Sequence, residues 1–227
     1  KGGAYEEAAV LYRSNAQSRA IEEALLRVSI PYRIYGGLRF YERLEIKNAI
    51  AYLKVVFNNN DNPSFERSIS NPTRGVGEKT LAKIRNTAKQ FNLSYIKASA
   101  KLVDEGSIGG RGGAGLKDYL EFIAGCKSFI EDNLLSELME LIIKETGLYA
   151  YHAKEPGEKG KTRTENLEEL ITATKNFEQS ISEDKSNLEI AESYLDIISL
   201  DSGDRQASEH DDAAQLMTMH SAKGLEF

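Results

Sequence analysis

Ala214-Gln-Leu-Met-Thr218-Met-His220-Ser-Ala-Lys223-Gly224 is a short apolar run followed at once by a polar, glycine-containing turn. Residues 214–219 read as a strand, because a brief apolar stretch closed by a turn signal is the pattern of a strand covered on both faces of a parallel sheet. The Ser-Ala-Lys-Gly that follows offers unpaired backbone N–H groups, a cation and a flexible glycine. Strand ends with such loops are where α/β proteins hold phosphates and nucleotides. The chain stops inside this turn, at Phe227, which is expected of an excised piece of a larger enzyme.

Working back from that strand, the same texture returns only near the other end. Residues 8–12 are a second strand pattern, and 16–28 follow with Ala20, Ala24, Leu25 and Val28 on one helical face. Residues 32–35 are a third strand, ended by Gly36-Gly37, and 42–57 place Leu44, Ile46, Ile50, Leu53 and Val56 at helical spacing. Two strand–helix units predict part of a parallel α/β sheet. The texture changes at Asn58-Asn-Asn-Asp-Asn-Pro63, a polar loop closed by proline. From there to Ala214 the pattern is helical, over 80–90, 94–104, 116–131, 134–146, 164–179 and 187–199. The expected fold is therefore mainly α. A helical domain over 61–207 interrupts an α/β domain built from 1–60 and 208–227, with polar linkers at 58–63 and 201–212 that would act as a hinge.

Composition narrows the class. A hydrophobic share of 41% suffices for a packed core, and the single cysteine, Cys126, excludes an internal disulfide framework. No apolar run is long enough for a membrane span, and no signal peptide is visible, so the expected location is cytoplasmic. The net charge of −6 is uneven: residues 178–212 carry eleven acidic side chains against Lys185 and Arg205, which leaves +3 for the rest. Because charges act within a Debye length of roughly 8 Å, local charge decides phosphate binding and the total does not exclude DNA. The acidic stretch is also a surface for a basic protein partner. His152 and His210 lack companions at metal-ligand spacing, so no metal site is assigned.

Two segments have phosphate-binding chemistry. Thr73-Arg74-Gly75-Val76-Gly77-Glu-Lys79 is a Gly-apolar-Gly turn opening a helix. There the glycines let backbone approach a phosphate, the first-turn N–H groups can bond it, and Arg74 and Lys79 add charge. An ordinary tight turn at a helix start fits the same residues. If Arg74 grips a phosphate, Arg74→Ala should weaken duplex binding and leave folding intact. The second segment, Gly157 to Asn166, carries Lys159, Lys161 and Arg163 and reads as entering a helix through a Thr162-x-x-Glu165 capping box. A solvated loop is its plain alternative. Gly110-Arg-Gly-Gly-Ala-Gly115 matches G-x-G-x-x-G without the strand a dinucleotide site needs, so a flexible interhelical loop is expected there. At residues 12–15, Ser14 or Asn15 is placed to cap the helix that follows.

His220-Ser-Ala-Lys-Gly-Leu-Glu-Phe227 resembles motif V of the superfamily 1 DNA helicases of the UvrD, Rep and PcrA type. The runs Ala9-Val-Leu-Tyr-Arg13-Ser-Asn15-Ala-Gln-Ser-Arg19 and Pro31-Tyr-Arg-Ile-Tyr-Gly-Gly-Leu-Arg39-Phe-Tyr-Glu-Arg43 resemble the motif IV region. The 71–77 and 157–170 segments are similar to parts of the helical domain inserted in the family's second motor domain. All four occur in the family's order, and the Tyr-Arg-Ile-Tyr-Gly-Gly and Glu-Lys-Gly-Lys-Thr-Arg-Thr-Glu-Asn-Leu runs lie closest to its UvrD branch. The resemblance implies a RecA-like α/β domain, called 2A, carrying an inserted helical domain, called 2B. The parent would be an ATP-dependent DNA helicase that uses ATP and Mg²⁺ and is associated with the nucleoid, with repair proteins among its expected partners. It further implies that Arg13, Asn15, Arg39, Thr218 and His220 face single-stranded DNA, and that Gly224 and Glu226 meet ATP. Duplex DNA would meet Thr73, Arg74, Gly75, Val76, Gly77, Lys79, Lys161 and Arg163. No G-x-x-x-x-G-K-[ST] loop is present, so this chain by itself should neither bind nor hydrolyse ATP.

Overall fold

The computed structural model describes residues 4–181, 184–203 and 211–223. Among these residues three strands form one parallel sheet: β1 (Ala9–Tyr12), β2 (Tyr32–Tyr35) and β3 (Ala214–Thr218), in the order β1-β3-β2. β3 therefore runs between the two strands that precede it, with Tyr12 level with Thr218 and Tyr32 level with Ala214. Central position explains its composition, since Leu216 and Met217 are fully buried. Helix α1 (Ser18–Arg27) lays Ile21, Leu25 and Leu26 on a small core of Tyr12, Tyr32, Ile34, Ala214 and Leu216.

The larger core belongs to the helices. Helix α2 (Leu44–Phe57) is its axis, with Ile46, Ala49, Ile50, Tyr52, Leu53, Val55 and Val56 buried around nearly the whole circumference, as expected of a helix enclosed on all sides. The other helices are α3 (Asn62–Ser70), α4 (Glu78–Phe91), α5 (Tyr95–Asp104), α6 (Gly110–Asp132), α7 (Leu135–Glu145), α8 (Leu148–Ala153), α9 (Glu158–Ser180) and α10 (Asn187–Gly203), of which α3, α6, α7 and α9 pack directly on α2. Among the described residues no helix is long and apolar enough to cross a membrane.

Several expectations are corrected by packing. The apolar division falls near Leu38, because Phe40, Tyr41 and α2 join the helical core instead of the sheet. Residues 58–63 are a tight connection and not a free linker: Asp61 accepts from the Ser64 N–H at 2.9 Å, and Pro63 stands in the first turn of α3. Proline reads as a loop closer but also suits a helix start, where its missing N–H has no partner to lose. Thr162 and Glu165 are not a cap, since α9 begins at Glu158.

The expected flexible loop at 110–115 is the beginning of α6, and its glycines are explained by what lies against them. A Cβ on Gly115 would stand 2.0 Å from the Arg74 carbonyl oxygen, and one on Gly112 would stand 3.0 Å from that of Gly75. Glycine here is a packing requirement, met despite its poor helix propensity.

Candidate nucleic-acid interface

β1 and β3 are neighbours and end level with one another, so the residues after them emerge side by side. Arg13, Ser14 and Asn15 follow β1, while Thr218 closes β3 and His220 follows. Together with Glu158, Lys161, Thr162 and Glu165 of α9 they line a cleft of about 720 Å³. The carboxyl ends of parallel strands are the usual ligand position of such sheets. Ser14 caps the turn over Asn15–Gln17: its Oγ accepts from the Ala16 N–H at 3.3 Å, and Gln17 Oε1 accepts from the N–H groups of Arg13 and Ser14. That ring of hydrogen bonds fixes the backbone and leaves the Arg13 side chain exposed. Thr218 and Ser221 are joined through their hydroxyls at 2.9 Å, which fixes the turn bearing His220.

The wall contributed by α9 is held by polar contacts, several of them buried. Arg43 donates to the Asn15 carbonyl at 2.8 Å, Asn166 Oδ1 at 2.9 Å and Ser18 Oγ at 2.6 Å. Asn166 donates in turn to Glu45 at 2.6 Å, and Arg19 pairs with Glu169 at 2.6 Å. Arg163 spans Glu155 at 2.5 Å and Glu45 at 3.6 Å, so its guanidinium is committed within the protein. His152, fully buried, shares a 2.6 Å hydrogen bond with Glu155. That bond, with Arg163 and Lys159 beside it, lowers the Glu155 carboxyl to about 2. Arg43 escaped sequence reasoning. Its signal was a lone arginine at the head of an apolar helix, a position that burial makes costly unless every donor is satisfied.

The 73–77 turn is built differently. Gly75 has φ 76, a left-handed conformation that suits glycine, and Gly77 precedes α4. Thr73, Gly75, Gly77 and Lys79 are exposed, while Val76 is buried. Arg74 turns inward. Its guanidinium lies 5.6 Å from the Tyr52 ring and 6.0 Å from the Tyr119 ring, and donates to Tyr52 Oη at 2.7 Å. Tyr52 Oη donates on to the Asn71 carbonyl at 2.9 Å, so Tyr52 ties Asn71 and Arg74 to α2. Arg74→Ala is therefore expected to disturb folding, where the sequence alone predicts that folding stays intact. Arg111, unnoticed in the sequence because it lies in the glycine-rich run, is exposed and borders the same cavity as Thr73 and Arg74.

Of the remaining sequence-derived residues, Arg39 is 3% exposed and donates to Tyr32 Oη at 3.0 Å, so it is not presented to the cleft. Lys161 stands with Arg13, Asn15, Thr218 and His220, apart from the cavity beside Arg74. Gly224 and Glu226 lie outside the described residues.

The family model of the UvrD-like helicase C-terminal domain matches residues 1–105 and 123–227. The chain is 47% identical over 226 residues to DNA helicase II of Escherichia coli K12, covering all of this chain and 31% of that protein. It is 38% identical over 221 residues to the ATP-dependent DNA helicase PcrA of Bacillus subtilis 168, covering 96% of this chain and 30% of that one. To the PcrA of Leuconostoc citreum it is 37% identical over 225 residues, with 99% and 30% covered. The chain thus spans just under a third of the length of these relatives.

Proposed function

The chain belongs to the UvrD-like helicase C-terminal domain family, and from that premise we propose that it forms the strand-holding part of an ATP-dependent DNA helicase. In this reading the sheet is part of the second motor domain, 2A, and the helical body is its insertion, 2B. The parent translocates on single-stranded DNA and separates the duplex ahead, and the single strand crosses the cleft at the ends of β1 and β3. The supporting observation is the convergence of Arg13, Asn15, Thr218 and His220 from two adjacent strand ends on one open groove. Such a groove offers a guanidinium, an amide, a hydroxyl and an imidazole to backbone and bases, contacts that position a strand without reading its sequence.

The exposed turn at 73–77, with Lys79 and Arg111, is the proposed duplex contact. Its backbone N–H groups meet phosphate, and Arg74 supports the turn from behind. Gly224 and Glu226 are proposed to meet the nucleotide's edge. ATP supplies the driving force for translocation in the parent, whose phosphate-gripping loop is not in this sequence. The purified chain is therefore expected to show no DNA-stimulated ATPase activity.

The test is single-strand affinity of the full-length protein. Arg13→Ala and His220→Ala should each weaken binding to an oligothymidylate and reduce its stimulation of ATP hydrolysis, with basal hydrolysis changed less. Unchanged affinity and stimulation in both variants would remove the cleft from the strand's path.

A further inference from the structure

We propose that Lys161, on the helical body, is a phosphate ligand of the single-strand cleft, held in reserve by Glu165. This deepens the strand reading of the cleft and rests on it. Lys161 lies one turn into α9 and lines the same groove as Arg13 and His220. Its resting partner is Glu165, at 3.9 Å, in a pair whose side chains are 67% and 34% exposed. An exposed pair at that distance holds little free energy.

Glu165 is not free to follow Lys161. Its other carboxylate oxygen accepts from Ser14 Oγ at 2.7 Å, which pins the carboxylate to the turn after β1. The resting arrangement is thus one carboxylate shared by a fixed hydroxyl and an exposed ammonium. A strand phosphate entering between the walls offers Lys161 a second anionic partner with several acceptor oxygens, and the exchange breaks only the weaker half of the Glu165 bridge. Counting charged side chains, the cleft has Arg13 and Lys161 against Glu158 and Glu165. It is balanced at rest, so the carboxylate beside Lys161 opposes phosphate entry and sets the affinity. Since α9 is seated on Arg43 and Arg19, the Lys161 backbone is in place before the strand arrives. The strand would then be held between the sheet on one side and the helical body on the other.

The experiment uses the full-length protein and a fluorescent oligothymidylate titrated at several salt concentrations. Lys161→Ala is expected to weaken binding about fivefold at low salt and to lower the salt slope by about 0.7, the value of one single-strand phosphate contact. Glu165→Gln keeps an acceptor for Ser14 and should tighten binding a fewfold. These opposite signs are the signature, since a general disturbance of α9 would weaken both. If Arg13→Ala and His220→Ala weaken binding while Lys161→Ala leaves affinity and slope unchanged, the Lys161 assignment is overturned and the cleft stands. If none of the three has an effect, the strand reading of the cleft itself fails. Loss of duplex affinity with intact strand affinity in Lys161→Ala would return the residue to the duplex.

Discussion

The cleft and the 73–77 turn both offer cations beside exposed backbone, yet they are held together by different forces. The cleft's far wall is seated through Arg43, Asn166, Arg163 and Glu155, a chain of charged and polar groups. The turn is seated through aromatic rings beneath Arg74 and glycines whose missing side chains leave room for carbonyl oxygens. An arginine in a phosphate-binding pattern can thus serve the fold instead of the ligand. What separates the two cases is where the guanidinium points, which depends on residues distant in sequence.

The sharpest break in the comparison lies at the glycine seat. Gly115→Val should destabilise the protein by about 3 kcal/mol, the upper part of the range for overpacking, because its Cβ would stand 2.0 Å from the Arg74 carbonyl oxygen. Gly77→Val, with nothing within 4 Å of its Cβ, should lower the midpoint of thermal unfolding far less. Equal midpoints for the two variants would show that the seat yields and that packing does not define the turn.

Next in size is the contrast between the two arginines. Arg74→Ala should cost about 2 kcal/mol, through lost cation–π contact and a charge-assisted hydrogen bond to Tyr52. Arg13→Ala, at an exposed position, should stay within about 0.5 kcal/mol of the parent while weakening strand binding. Urea unfolding and strand titration on the same preparations separate the roles. A stable Arg74→Ala variant with weakened duplex binding would restore the phosphate-gripping role expected from sequence.

The smallest effect is a pH dependence confined to the polar side. The Glu155 carboxyl titrates at about 2 when folded, below its unfolded value of 4.5. Its contribution to stability is therefore complete above about pH 4.5 and is lost as pH falls towards 2. Glu155→Gln should flatten the stability profile across that window. A profile as steep as the parent's would place the acid sensitivity in other carboxylates.

The strands were legible because each is a short apolar run closed by a turn signal, and their bounds fell within a residue of 8–12, 32–35 and 214–219. The long helices were legible from periodicity, which states that α2 is a helix but not which core it enters. α3 was hidden by Pro63, read as the end of a loop when Asp61 makes it a beginning. The start of α6 was hidden because glycine carries no helical signal and the reason for it is the distant backbone of Arg74 and Gly75. At the site, local chemistry identified the loop after β1 and its cap, and family resemblance supplied the grouping of Arg13 and Asn15 with Thr218 and His220. The position of Lys161 was not legible, since it follows from Ser14 meeting Glu165, 151 residues away.

The placement of β3 between β1 and β2 also sets an order of events during synthesis. β1 and β2 leave the ribosome before the helices of the body, and the strand that separates them arrives only after those helices. Within the body α2 packs on α3, α4 on α5 and α8 on α9, neighbours in sequence whose local contacts form first. The two waiting edges are only four residues long each, which limits their appeal to other nascent chains. β3 then acts as a latch. Its arrival joins the two earlier strands and brings Thr218 and His220 beside Arg13 in the same step, so the groove forms only after the scaffold that carries it.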